Sequence, residues 1–112
     1  MSNRFKFRVY SFLDKSFYYF SIGDGETGYP QGIAGGVSEI QQYTGLTDKN
    51  GNLIFEGDIV EWGNLKYLVE WESNKWQARC PYSSRYSHPK LEHFRDVKSG
   101  IVVGNIFEYK FD

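Results

Sequence analysis

Residues 4–13 alternate strictly, with Arg4, Lys6 and Arg8 set against Phe5, Phe7 and Val9. Successive side chains of a strand point to opposite faces, so a period of two predicts a strand with one wet face. No segment of the chain carries strong helical periodicity. Nine Phe, nine Tyr and three Trp in 112 residues reinforce the strand reading, because flat rings suit a pleated, half-buried surface. The expected class is mostly β.

Turn chemistry divides the chain into short strands. Asp14-Lys15-Ser16 is a turn and Phe17 to Ile22 a second strand, which closes an N-terminal β-hairpin. Residues 23–36 hold six of the twelve glycines and Pro30, a loose stretch or a boundary between substructures. Residues 37–43 read as a short strand. Asp48-Lys49-Asn50-Gly51 predicts a type I′ turn at Asn-Gly, whose twist matches flanking strands. Gly63-Asn64 and Glu72-Ser73-Asn74-Lys75 mark further turns, separating Ile59-Val60-Glu61-Trp62 from Tyr67 to Trp71 and from Trp76. Residues 80–90 read as a surface loop, and Ile101 to Val103 with Ile106 to Phe111 as the last strand pair. Such spacing predicts a meander closing into a small barrel over residues 37–112. The hairpin and Gly-rich loop of residues 1–36 then form an appendage packed against it as one compact unit.

A lone cysteine, Cys80, excludes an internal disulfide. Charges interrupt the apolar residues of the first fifteen positions, so no signal-peptide core is expected, and no apolar run approaches the ~20 residues of a membrane span. A cytoplasmic protein with no membrane partner is the expectation. The net charge of −1 conceals an asymmetry: residues 39–72 hold seven acids and two bases, whereas 75–98 hold six bases, two acids and both histidines. One acidic and one basic face are expected.

At Gln42-Tyr43-Thr44-Gly45-Leu46, followed by Asp48-Lys49-Asn50-Gly51, Ile54 and Glu56-Gly57-Asp58-Ile59-Val60, the sequence resembles the YopX family. Val103-Gly104-Asn105-Ile106-Phe107-Glu108 is similar to that family's closing motif, and Phe7-Arg8-Val9-Tyr10 to its opening. The resemblance implies a phage- or prophage-encoded bacterial protein whose fold includes an SH3-like β-barrel. It brings no catalytic or binding residues. Departures from the family pattern are the Gly-rich residues 23–36 and the ending Tyr109-Lys110-Phe111, where many relatives have Asn-Pro. Physically, the motif glycines fit tight turns, Ile54, Ile59 and Ile106 suit an interior, and Asp58 suits bonds to turn amides.

Constellations that carry chemistry are few. Gly23-Asp24-Gly25-Glu26-Thr27-Gly28 matches G-x-G-x-x-G, but Tyr29-Pro30 cannot open the helix that a dinucleotide site needs, and Asp24 and Glu26 repel phosphate. Cys80, His88 and His93 give at most three zinc ligands where a closed site takes four. Glu56 with Asp58, and Glu70 with Glu72, share strand faces and read as acidic strand edges that discourage aggregation. The candidate binding surface is a basic and aromatic stretch: Trp76, Arg79, Tyr82, Arg85, Tyr86, Lys90 and Arg95, with His88, His93 and Phe94 among them. Cations there neutralise phosphates and rings stack unpaired bases.

A non-catalytic interaction or assembly module is expected, because surplus Tyr and Trp anchor interfaces. Its partners would be a second copy or a phage or host protein, with no cofactor and no metal. The alternative is a single-stranded nucleic-acid-binding accessory protein using residues 76–95.

Overall fold

A computed structural model describes residues 6–21, 29–80, 97 and 99–108, and the backbone of 90–93. Nine strands run through them: β1 Lys6–Ser11, β2 Ser16–Ser21, β3 Gln41–Thr47, β4 Leu53–Phe55, β5 Asp58–Trp62, β6 Leu65–Glu72, β7 Lys75–Cys80, β8 Lys90–His93 and β9 Ile101–Asn105. The fold is mostly β, in two antiparallel sheets, one of them curled as a half-barrel. The first has the order β2-β1-β3-β4 and the second β8-β7-β6-β5-β9.

The hairpin of β1 and β2 forms as the alternation predicts, in register from Lys6 opposite Ser21 to Ser11 opposite Ser16. It also pairs onward: Phe7 and Arg8 of β1 lie opposite Gln42 and Gln41 of β3. Val37 makes a single bridge to Ser11, and the strand expected at 37–43 begins only at Gln41. The sheet therefore runs across the 36/37 boundary drawn from the sequence.

Two hairpin turns fall where turn residues cluster. Gly63 and Asn64 (φ 60° and 70°) join Trp62 to Leu65, and Ser73 and Asn74 (φ 54° and 62°) join Glu72 to Lys75. Positive φ at both central positions is the type I′ pattern, which feeds the twist of the strands it connects. The expected type I′ turn at Asn50-Gly51 is not formed, since of that pair Gly51 alone has positive φ. Instead the Asp48 Oδ1 accepts from the amides of Asn50 (2.9 Å) and Asn52 (2.8 Å), which tightens the turn from its own first residue. The last strand pair is also corrected. β9 ends at Asn105, whose Oδ1 accepts from the Phe107 amide and bends the chain away. Residues 109–111 lie outside the described residues.

One face of the curled sheet carries the core: Val60, Tyr67, Val69, Ala78 and Cys80, joined by Ile54 and Val97. Each fully buried Val or Ile there contributes about 1.5–3 kcal/mol relative to exposure. Aromatic rings tie the two sheets together. Phe107, just beyond β9, stacks on Tyr10 of β1 with centroids 4.7 Å apart and planes 12° from parallel. It also packs near Phe12 and Phe17.

Candidate functional site

Arg8 is where the structure departs most from the alternation. Its strand face is expected to be wet, yet the residue is 4% exposed. Period two fixes which residues share a face; it does not say which face meets water. On this face Arg8 has Tyr10 as strand neighbour, and its guanidinium carbon lies 3.9 Å from the Phe17 ring centroid and 4.7 Å from that of Phe55. Its Nε and Nη2 are directed at acceptors. Nε donates to Gln41 Oε1 (2.8 Å), and Nη2 to Asp58 Oδ1 (2.7 Å) and to the Glu56 carbonyl (3.2 Å).

Asp58 is 3% exposed, so the reading of Glu56 and Asp58 as an acidic edge fails for Asp58. Its strand, β5, lies between β6 and β9 rather than at an edge. As expected from its place beside a turn, it bonds a local amide, accepting from Phe55 N at Oδ2 (2.8 Å). Burial pushes its carboxyl up from the ordinary carboxylate range, against the opposing pull of Arg8 and of the Phe55 amide. A buried pair of this kind adds little net stability, but it fixes which groups must meet.

A second carboxylate, Asp48, fastens the β3–β4 turn to β9. Besides the two turn amides, it accepts from Asn52 Nδ2 (3.3 Å) and from the Val102 amide (2.9 Å), while Lys49 N donates to the Gly100 carbonyl. Burial raises the Asp48 pKa, but these four hydrogen bonds outweigh it and hold the carboxyl below its ordinary value. The charged form is favoured in the folded state, so the contribution is complete above the unfolded value near 3.8 and fades as pH falls through the lower folded value. Asp48→Asn is expected to cost about 1–3 kcal/mol at neutral pH. Urea unfolding of both proteins across pH 7 to 2 should show that gap constant above pH 4 and closing below it.

Beside the β4–β5 corner lies an open groove of about 270 Å³. Gln41, Gly57, Leu68 and Val69 are its buried residues, and Glu56, Glu70, Trp71, Glu72 and Ile106 stand around them. Glu70 and Glu72 lie on β6, an interior strand, which corrects their reading as an acidic edge. Glu70 receives Arg79 through both oxygens, at 2.9 and 3.0 Å. Trp71 is half exposed and meets Trp76 edge to face at 5.1 Å.

Of the basic and aromatic stretch, Trp76 is partly buried against the core and Arg79 is paired with Glu70. Lys90 lies in β8, where the backbone alone is described. Tyr82, Arg85, Tyr86 and Arg95 lie outside the described residues, as do His88 and Phe94. The β6–β7 pairing thus separates the two: Arg79 shares the face of Glu70, while Trp76 lies beside Trp71 on the core face. The groove residues Gln41 and Trp71 were not singled out by sequence reasoning, and Trp71 beside two glutamates was the available signal. Among the described residues no cluster of three His, Cys, Asp or Glu could hold a metal, and no helix is long and apolar enough to cross a membrane.

A family model described as YopX protein matches residues 14–109. The chain belongs to the YopX family. No curated protein matches it. In this family member the motif residues quoted from the sequence are the ones that join distant strands. Asp48 ties the β3–β4 turn to β9, Asp58 takes Arg8 and lies opposite Asn105, and the Ile106 amide donates to the Gly57 carbonyl. The buried Asn105 Nδ2 in turn donates to Glu108 Oε1. The resemblance over both motifs therefore follows the contacts that close the fold.

Proposed function

We propose that this YopX family protein is a non-catalytic assembly module, built on a small SH3-like barrel, that associates with its own kind through the outer edge of β2. The observation that supports the reading is the strand itself. β2 reads Ser-Phe-Tyr-Tyr-Phe-Ser, six residues with no charge and no proline, at the end of its sheet. Edge strands are ordinarily blunted by charge, proline, bulges or cover. The other edges among the described residues have such devices. β8 carries Lys90 and Glu92, β4 is three residues long, and β9 is fastened by Asp48 and Lys49. Tyr18 and Tyr19 on β2 are exposed, and Phe12 and Leu13 at the hairpin tip add apolar surface. Antiparallel pairing of two copies of β2 would engage the outward amides of this end strand and oppose no like charges.

The family suggests the setting, a phage or prophage product in the bacterial cytoplasm. The nucleic-acid reading draws less support, because Arg79 is already held by Glu70. Light scattering after size exclusion is the test. The unaltered chain is expected as a concentration-dependent dimer and Tyr18→Lys as a monomer. That substitution keeps a partner for Asp14, which now accepts from the Tyr18 hydroxyl. A monomer at every concentration, or a dimer indifferent to Tyr18→Lys, overturns the reading.

A further inference from the structure

We infer that two copies join through β2 with Tyr19 on the two-fold axis, so that both four-stranded sheets become one continuous antiparallel sheet. The inference rests on the self-association reading and adds the register, which the backbone of the hairpin decides. In an antiparallel ladder the N–H and C=O of one residue point to one side, and those of the next residue to the other. Tyr10 N donates to Ser38 Oγ, and the Tyr10 carbonyl accepts from Ser38 N. Phe12 N likewise donates to the Gly36 carbonyl. Lys6, Arg8 and Tyr10 of β1 therefore turn their backbone groups away from β2, and Phe7, Val9 and Ser11 turn theirs toward it. The Ser11 carbonyl agrees, since it accepts from Lys15 N within the hairpin loop. Phe7, Val9 and Ser11 lie opposite Phe20, Tyr18 and Ser16 in an unbroken register. Those three residues of β2 direct their backbone groups at β1. Phe17, Tyr19 and Ser21 direct theirs at the outer edge.

Three outward residues spaced by two select one pairing. An axis at Tyr19 sets Tyr19 against its own copy and Phe17 against Ser21, so every outward residue gains a hydrogen-bonded pair. Moving the axis to Tyr18 leaves Ser21 opposite Lys15, beyond the partner strand, and moving it to Phe20 leaves Phe17 beyond it. The strand reads Ser-Phe-Tyr-Tyr-Phe-Ser, the same in both directions, which suggests an axis between Tyr18 and Tyr19. That register sets an outward residue against an inward one, and an antiparallel ladder does not form that way. The side chains suit the axis at Tyr19. Tyr19 is 54% exposed and meets its copy on one face, while Tyr18 stands opposite Phe20 on the other. Aromatic cross-strand pairs stabilise a sheet, and β2 has no charge to oppose another.

Disulfide trapping reads the register. Across a hydrogen-bonded pair the Cα atoms stand ~5.5 Å apart, within the ~4.4–6.8 Å that a disulfide spans. In the same dimer the two copies of residue 18 are diagonal neighbours, ~7–8 Å apart and out of reach. Cys80 is buried, and the unaltered chain gives the background. Under a mild oxidant, at a concentration where light scattering gives a dimer, Tyr19→Cys is expected to form covalent dimer at least about tenfold faster than Tyr18→Cys. Tyr19→Pro removes an outward N–H and no bond to β1, so it should keep the near-ultraviolet circular dichroism of the fold and run as a monomer. The trapping comparison does not depend on the proline variant. Faster trapping of Tyr18→Cys, equal trapping of both, trapping of neither, or a folded Tyr19→Pro dimer as tight as the unaltered one overturns the register and leaves self-association through β2 standing. An unaltered chain that is monomeric at every concentration overturns the assembly reading and the register with it.

Discussion

Arg8→Met is expected to lower the unfolding free energy by about 3–5 kcal/mol, the cost of leaving a buried carboxylate without its cation. That is a large share of the ~5–15 kcal/mol that holds a typical domain together. Three acceptors lose their donor at once: Gln41 Oε1, the Glu56 carbonyl and Asp58 Oδ1. Methionine fills much of the volume between Phe17 and Phe55, so the loss is electrostatic more than steric. Urea unfolding followed by tryptophan fluorescence reads it directly. Arg8→Met combined with Asp58→Asn should recover part of the loss, because the uncompensated charge is then gone while Asn Oδ1 can still accept from the Phe55 amide. A coupling of about 0.5–3 kcal/mol between the two positions is expected. Strictly additive losses would show that the pair does not act as one unit.

Gly57→Ala is the second large effect. Gly57 sits at φ 86°, where an L side chain costs about 1–2 kcal/mol. Its new Cβ would stand 2.1 Å from Gln41 Nε2 and 2.9 Å from Cδ, so the amide must move. Moving it strips Arg8 Nε of its acceptor, a further ~1–3 kcal/mol for an unsatisfied buried donor. The position is also held on both sides, since Gly57 N donates to the Val69 carbonyl and the Gly57 carbonyl accepts from Ile106 N. Gly51→Ala makes a clean control. It has nearly the same φ, 85°, but opens onto free space, so only the conformational cost should appear. If the two variants lose equal stability, the crowding argument at Gly57 is wrong, and the fixed orientation of Gln41 loses its support.

These effects place the groove and the fold's closure in one network. The Arg8 guanidinium that compensates Asp58 also holds the oxygen of Gln41, whose side chain lines the groove.

Much of the architecture was legible in the residues. The alternation of 6–11 and the turn after it yield the first hairpin. Gly63-Asn64 and Ser73-Asn74 yield two type I′ turns, because their residues tolerate positive φ. The match to the YopX family follows from motifs that the chain displays in order. Less legible was everything that depends on which surface covers which. Arg8 alternates like an exposed residue and is buried, since β3 and the β4–β5 corner close over its face. Asp58 and Glu56 look alike in sequence, two residues apart, yet one lies inside the sheet and the other faces the groove. The Asn50-Gly51 turn took another form because Asp48, bound as well to Val102 fifty-four residues away, accepts from two of its amides. The first hairpin, the two type I′ turns and the family could be read from the residues, because they depend on neighbours within a few positions. Burial of the charges and the pairing of Arg8 with groups 33 and 50 residues on came from the tertiary structure alone, because desolvation depends on the packing of distant strands rather than on local pattern.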